Sequence, residues 1–395
     1  MSIQKFIQNL KTVKGNKIQT PYINPKSKIG DTIITKILIS SNSQPIPIAL
    51  LSKLTPRLVH LILSDPHLKL PKCLDFFNFL LKNQSLINLK LNLESHFILI
   101  CRLVKQRKFT DAERLLGFFS NDENLRYPFP VIASCIWNCC GESRIPTKIF
   151  NMMLKVYSDS QRFKQVVDTF NYMESNGIQI NEKTCTVILI ELIKCDQLEL
   201  GLELFYRMLD SGIEVSVFSL TVVVDGLCKN GEINRAMELV EEMVTRGLKP
   251  NIITCNIMVN ASTKRWKFEE LKKILDLMKR VGVDLNVETF KFLVDGFSSC
   301  GKIEEADKVV LEMHQKGFIV GAHLYNLVIN GYCRLGNVER AFALFGKMKE
   351  ENICPNIDTY GILASHVSKM GGLVTAKEFI KEMQTKLNEL EVVLV

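Results

Sequence analysis

The sequence predicts an all-α fold, a right-handed α-solenoid of stacked helix-turn-helix repeats of 35 residues, and three observations carry that expectation. Met173, Met208, Met243, Met278, Met313, Met348 and Met383 stand 35 residues apart. Gly177, Gly212, Gly247, Gly282 and Gly317 each follow a methionine by four residues, and Asn352 takes the sixth such place. Gly231, Gly301, Gly336 and Gly371 form a second file at the same period. A fixed period of about 20–50 residues marks a stacked array. Function in such an array lies on the surface its units jointly present.

In chain order, residues 1–40 read as an organellar targeting segment. Ile3, Phe6, Ile7 and Leu10 fall on one helical face, and no acid precedes Asp31. That combination of amphipathic, basic and acid-poor sequence suits a presequence. Its start is poor in serine, so the expected destination is the mitochondrion, with the chloroplast as the alternative. Of the net charge of +8, residues 1–64 supply all, with nine Lys/Arg against Asp31. The other 41 basic and 41 acidic residues cancel, so bulk charge gives no argument for a polyanionic partner. Lys36 and Lys53 interrupt the best apolar stretches, leaving none of the ~20 residues that a membrane helix needs.

Residues 41–92 read as a helical lead-in, with the apolar run of 55–82 at its centre. Residues 93–146 read as a degenerate first repeat followed by an off-period segment. Leu99, Leu103, Phe109 and Ala112 keep register, and 128–146 break it. Counting each unit from 26 residues before its methionine gives seven tandem units over 147–391: 147–181, 182–216, 217–251, 252–286, 287–321, 322–356 and 357–391.

Within a unit, the third position carries a hydroxyl in Thr184, Ser219, Thr254, Thr289 and Thr359, which is expected to be the N-cap of the first helix. An apolar run follows, as in Leu220 to Val224, and the half-period glycine ends the helix in a left-handed conformation. A second helix opens on Phe163, Leu198, Ile233, Phe268, Ile303, Val338 or Leu373. Glu199, Glu269, Glu304 and Glu339 follow, placed to suit the positive end of the helix dipole. Ala236, Ala306, Ala341 and Ala376 mark close helix approach, and the methionine stands in the last turn. The period is also five heptads, but glycines and prolines recurring inside it argue against a coiled coil.

The unit from Val217 resembles the pentatricopeptide repeat. The resemblance rests on the run Asp225 to Lys229, the Gly231 turn, Ala236, Glu242 with Met243, and Gly247 to Pro250; unit 322–356 repeats it at Asn330 to Cys333 and Ala341. Uniform spacing of 35 is similar to the P type found in plant organelles. The resemblance implies a protein that binds single-stranded organellar RNA, one nucleotide per unit, and acts in RNA processing, stability or translation. It implies readout by the fifth and last residues of each unit. The RNA-binding residues would then be Asn151 with Asn181 (pyrimidine), Thr186 with Ser216 (purine), Thr221 with Asn251 (adenine), Asn256 with Asn286 (pyrimidine) and Asn326 with Asn356 (pyrimidine). Lys291 with Gly321 and Gly361 with Glu391 are off-pattern, so the expected site is Y-R-A-Y-N-Y-N. The second positions read Lys148, Lys183, Phe218, Ile253, Glu288, His323 and Asp358, and the acids among them confine the expected contact zone to Asn151–Asn286.

No catalytic residue, metal ligand or cofactor is expected. A deaminase of this kind needs H-x-E with C-x-x-C around zinc. No histidine here has Glu two places on, no C-x-x-C occurs, and the chain ends at Val395. Without a secretory signal the twelve cysteines are expected to be reduced thiols. Cys228 with Cys333, and Cys185 with Cys255, fill repeat slots as small buried side chains. Expected partners are single-stranded organellar RNA and other RNA-processing proteins, with no membrane and no small-molecule substrate. The alternative is a helical-repeat protein-interaction scaffold without direct RNA readout.

Overall fold

Neither helix of a hairpin can bury its apolar stripe alone, so each hairpin must pack on its neighbours. In a computed structural model the described residues are 54–82, 91–121, 127–140 and 144–371, with 375, 377, 378, 380, 381 and 384 beyond them. The expected targeting segment, Leu373, Ala376, Met383 and Glu391 lie outside them. Among the described residues eighteen α-helices are bounded and no strand occurs. None of these helices is long and apolar enough to cross a membrane. The chain divides into two compact units, Met1–Ile180 and Asn181–Val395.

The first unit holds α1 (Pro56–Ser64), α2 (Leu70–Lys82), α3 (Leu93–Lys105), α4 (Phe109–Asn121), α5 (Phe129–Cys140), α6 (Arg144–Asp159) and α7 (Phe163–Ser175). Arg102 of α3 ties down the end of α1, donating to the carbonyls of Leu63, Asp65 and Leu68 at 2.5, 2.9 and 2.5 Å. The off-period stretch is a helix: α5 packs on α3 and is joined to it by a disulfide between Cys101 and Cys140, Cα atoms 5.7 Å apart. This corrects the expectation that all twelve cysteines are reduced. Neither residue sits in a slot of the regular repeats, so their meeting depends on how α5 folds back. Burial pushes the thiols of Cys185 and Cys228 up to about 12 and those of Cys255 and Cys333 to about 11, which suits their role as core filler.

The second unit is the regular array. Its first helices are α8 (Glu182–Lys194), α10 (Val217–Lys229), α12 (Ile252–Lys264), α14 (Val287–Ser299), α16 (Ala322–Arg334) and α18 (Ile357–Lys369). Alternating with them are the second helices α9 (Leu198–Asp210), α11 (Ile233–Thr245), α13 (Phe268–Val281), α15 (Ile303–Gln315) and α17 (Val338–Glu350). Each of α8, α10, α12, α14 and α16 packs on its own partner and on the next first helix, so one core runs along the stack. The expected apolar opening residue is the first residue of every second helix. Ala236, Ala306 and Ala341 are fully buried.

Each methionine of the file among the described residues terminates a second helix through its backbone as well as filling the core. The N–H five residues on donates to the methionine carbonyl: Ile213 to Met208, Leu248 to Met243 and Val283 to Met278, all at 2.9 Å. Between them stands a left-handed residue, Gly212, Gly247 or Gly282. This is the Schellman closure, in which a left-handed residue lets the chain turn back and satisfy orphan carbonyls. First helices end the same way at Gly231, Gly301 and Gly336, but Asp196 and Trp266 hold the same conformation without being glycine, with φ of 58° and 55°.

Close approach of first helices sets a different glycine requirement. A Cβ on Gly296 of α14 would lie 2.3 Å from Thr263 Cβ and 3.2 Å from its Cα, so backbone as well as side chain would have to move. Gly296→Ala is therefore expected to destabilise by ~1–3 kcal/mol, more than the ~1 kcal/mol that alanine gains in helix propensity. Gly346 of α17 has nothing within 4 Å of such a Cβ. Gly346→Ala should stabilise by up to ~1 kcal/mol, and urea titration of both variants checks the opposite signs.

Candidate nucleic-acid interface

The first turn of each first helix must find acceptors for its exposed N–H groups. At five of the six first helices of the second unit the acceptor comes from the last residue of the preceding repeat. Asn251 Oδ1 accepts from Thr254 N at 2.9 Å, Asn286 Oδ1 from Thr289 N at 2.9 Å, and Asn356 Oδ1 from Thr359 N at 3.0 Å. Ser216 Oγ accepts from Ser219 N at 3.2 Å, and Asn181 Oδ1 from Lys183 N at 2.9 Å. The expectation that the third position is the N-cap is thus corrected. Both residue types can cap, and here the cap lies three residues earlier, with the third position inside the helix. The fifth position consequently lies in the second turn.

The third-position hydroxyl does something else. Ser219, Thr254, Thr289 and Thr359 are fully buried between neighbouring first helices. Each bonds across to the fifth residue of the previous repeat: Ser219 to Thr186 at 2.9 Å, Thr254 to Thr221 at 2.7 Å, Thr289 to Asn256 at 2.6 Å and Thr359 to Asn326 at 2.7 Å. Fifth and last residues also meet directly, with Asn256 Nδ2 donating to Asn286 Oδ1 at 3.1 Å and Asn326 Nδ2 to Asn356 Oδ1 at 2.9 Å. Fifth residue, cap and buried hydroxyl form one latch, repeated along the stack.

The latch fixes which atoms face outward. A backbone N–H can only donate, so the cap asparagine must turn its oxygen inward and its amide NH₂ outward. Thr289 Oγ1 reaches the oxygens of both Asn256 and Asn286, so both amides of that repeat offer donors. At Thr221 and Asn251 the outward groups are a hydroxyl and an amide NH₂, with Thr221 also bonded to Val217 O at 2.7 Å. Thr289→Val should strand Asn286 N–H and Asn256 Oδ1, costing ~1–3 kcal/mol in urea unfolding.

The remaining expected residues are placed differently. Lys291 pairs with Glu288 at 2.8 Å, and Gly321 gives α16 no side-chain cap, so the latch is missing there. Gly361 is exposed. Asn151, in the first unit, donates to the carbonyls of Thr147 and Gln179 at 2.9 and 3.1 Å. Lys148 and Lys183 are exposed. The two apolar second positions stand out: Phe218 and Ile253 are 60% and 59% exposed, each one turn before its latch residue on adjacent helices α10 and α12.

Sequence reasoning missed Glu182. Its Oε1 accepts from Thr186 Oγ1 at 2.9 Å, Ser216 Oγ at 2.7 Å and Ser219 Oγ at 2.8 Å. Burial alone would push this carboxyl up. The three hydroxyl donors, with Lys183 beside it, outweigh that and hold it below the ordinary carboxylate value. An acid at the first position of a helix ordinarily reads as a dipole partner, so nothing in the sequence separates it.

Fold and site together define a class: a solenoid of helical hairpins presenting a polar latch that recurs at four of its repeats. The chain belongs to the pentatricopeptide repeat family. Models described as "PPR repeat family" match residues 215–264, 250–299 and 320–369, and models described as "PPR repeat" match 148–178, 183–213 and 288–318, together more than half of the chain. A pentatricopeptide repeat-containing protein of Arabidopsis thaliana is 35% identical over 158 residues, 39% of this chain and 25% of that protein. A second Arabidopsis pentatricopeptide repeat-containing protein, named as mitochondrial, is 26% identical over 116 residues, 29% of this chain and 22% of that one. The chain thus spans a quarter or less of these relatives. The crystal structure of the maize pentatricopeptide repeat protein PPR10 shares the fold, with a TM-score of 0.50 at 20% identity over 91% of this chain and 49% of that one.

Proposed function

We propose that the second unit binds single-stranded RNA through its file of latches, one base per repeat, as a non-catalytic RNA-processing or stabilising factor in an organelle. The observation that carries this reading is the repeat at Thr221. A hydroxyl and an outward amide lie side by side, flanked by Phe218 and Ile253, two apolar side chains left about three-fifths exposed. Single-stranded bases are recognised where their faces can stack on side chains while polar groups read the Watson–Crick edge. Adenine offers a donor and an adjacent acceptor, and the hydroxyl lone pair and amide N–H match them. At Asn256 with Asn286, and at Asn326 with Asn356, outward amide donors suit the carbonyl-rich edge of a pyrimidine. Family membership and the mitochondrial relative support the organellar role, with the mitochondrion ahead of the chloroplast.

Selection of the full chain against a random single-stranded RNA library tests this. Enrichment of an adenine followed by a pyrimidine within the expected Y-R-A-Y-N-Y-N is the outcome anticipated, and a flat library would overturn it. The acids Glu288 and Asp358 at second positions favour the scaffold reading for the C-terminal repeats. A scaffold would keep its protein partners after RNase treatment.

A further inference from the structure

We propose that Glu182, which lies outside the fifth-and-last readout pair, makes the repeat 182–216 select guanine. This rests on the RNA reading above and sharpens it at one position. The pair Thr186 and Ser216 alone specifies no more than a purine. In the structure these hydroxyls do not face a base as free donors. Both, with Ser219 Oγ, lie 2.7–2.9 Å from Glu182 Oε1, and each is 2.9 Å from Ser219 Oγ, so the hydroxyl protons are taken up inside the cluster; Thr186 is only 5% exposed. Each hydroxyl has one proton, so the group keeps only acceptors for a ligand. All three bonds go to one carboxylate oxygen, which leaves Oε2 outside them.

An acceptor-only, negatively charged edge sorts the four bases. Guanine presents two neighbouring donors, N1–H and the N2 amine, which a carboxylate accepts in the bidentate manner that gives such pairs their strength. Adenine presents one donor beside a lone pair at N1, which the carboxylate would repel. Uracil and cytosine each present one donor next to acceptors. The latches at Asn256 and Asn326 carry no such acid: their repeats open on Ile252 and Ala322. One stack therefore holds both donor-rich and acceptor-only positions.

Fluorescence anisotropy with the full chain tests this, using short RNAs that match the expected site and differ only at the second readout place (G, A, inosine, U or C). The wild type should bind the guanine RNA about tenfold more tightly than the adenine RNA, and inosine, lacking the N2 amine, should lose most of that advantage. Glu182→Gln should bring guanine and adenine within about twofold while still demanding adenine at the Thr221 place. Equal binding of guanine and adenine by the wild type, with adenine still demanded at the third place, would overturn the role of Glu182 and leave RNA reading intact. So would a guanine preference that survives in a Glu182→Gln chain of unchanged circular dichroism. Failure to bind any of the RNAs would overturn both.

Discussion

Met278→Ala should cost ~2–5 kcal/mol of stability, among the largest effects of any single truncation in the regular array. The side chain is fully buried at the end of α13, with Leu271, Ile274 and Leu277 on the same buried stripe. Helix propensity works the other way, since alanine is the better helix former by a few tenths of a kcal/mol. That gain is an order of magnitude too small to offset a cavity in a close-packed interior. Met278→Leu, which nearly conserves volume, should stay below ~1.5 kcal/mol. The Schellman bond from Val283 N to Met278 O is backbone and survives both changes, so the difference between the two variants isolates the side chain. Urea unfolding measures it. Because each repeat packs only on its neighbours, hydrogen exchange should localise the loss to 252–286 and the adjoining helices. A Met278→Ala chain no weaker than Met278→Leu would mean that the methionine file is a spacer without a packing role.

The methionines were legible because a period needs no knowledge of partners. The same holds for Ala236 and for the left-handed glycines, where a residue type answers a local backbone demand. Legibility failed where two residue types serve one demand. Asparagine and threonine both cap helices, so the sequence could not say that Asn251 caps while Thr254, three residues on, crosses to Thr221. It failed again at Trp266 and Asp196, which take a positive φ that sequence patterns assign to glycine. The Cys101–Cys140 disulfide and the bonds around Glu182 depend on segments 30–40 residues apart, and neither follows from the residue types alone. What the sequence located was the file of fifth and last residues. What it could not give was the direction in which each hydroxyl and amide points.

Direction is what makes the second large prediction specific. Thr221→Asn combined with Asn251→Asp should move the preferred base at the third readout place from adenine to uracil, a swing of ~1–3 kcal/mol between the two. Asn251 Oδ1 is committed to Thr254 N and Thr254 Oγ1 at 2.9 and 3.0 Å, and an aspartate oxygen can take both bonds unchanged. Aspartate is as good an N-cap as asparagine, so the fold should lose little. The outward atom, however, changes from an amide donor to a carboxylate acceptor. Adenine then faces a carboxylate with its N1 lone pair, while uracil offers N3–H to it and a carbonyl to the amide introduced at position 221. Asn251→Ala is the informative contrast: it removes the cap as well, so it should cost ~1 kcal/mol of stability and weaken all bases alike. If the double variant still prefers adenine while its melting point is unchanged, base choice is not made at the latch, and the repeated hydroxyl–amide file serves only to join one hairpin to the next.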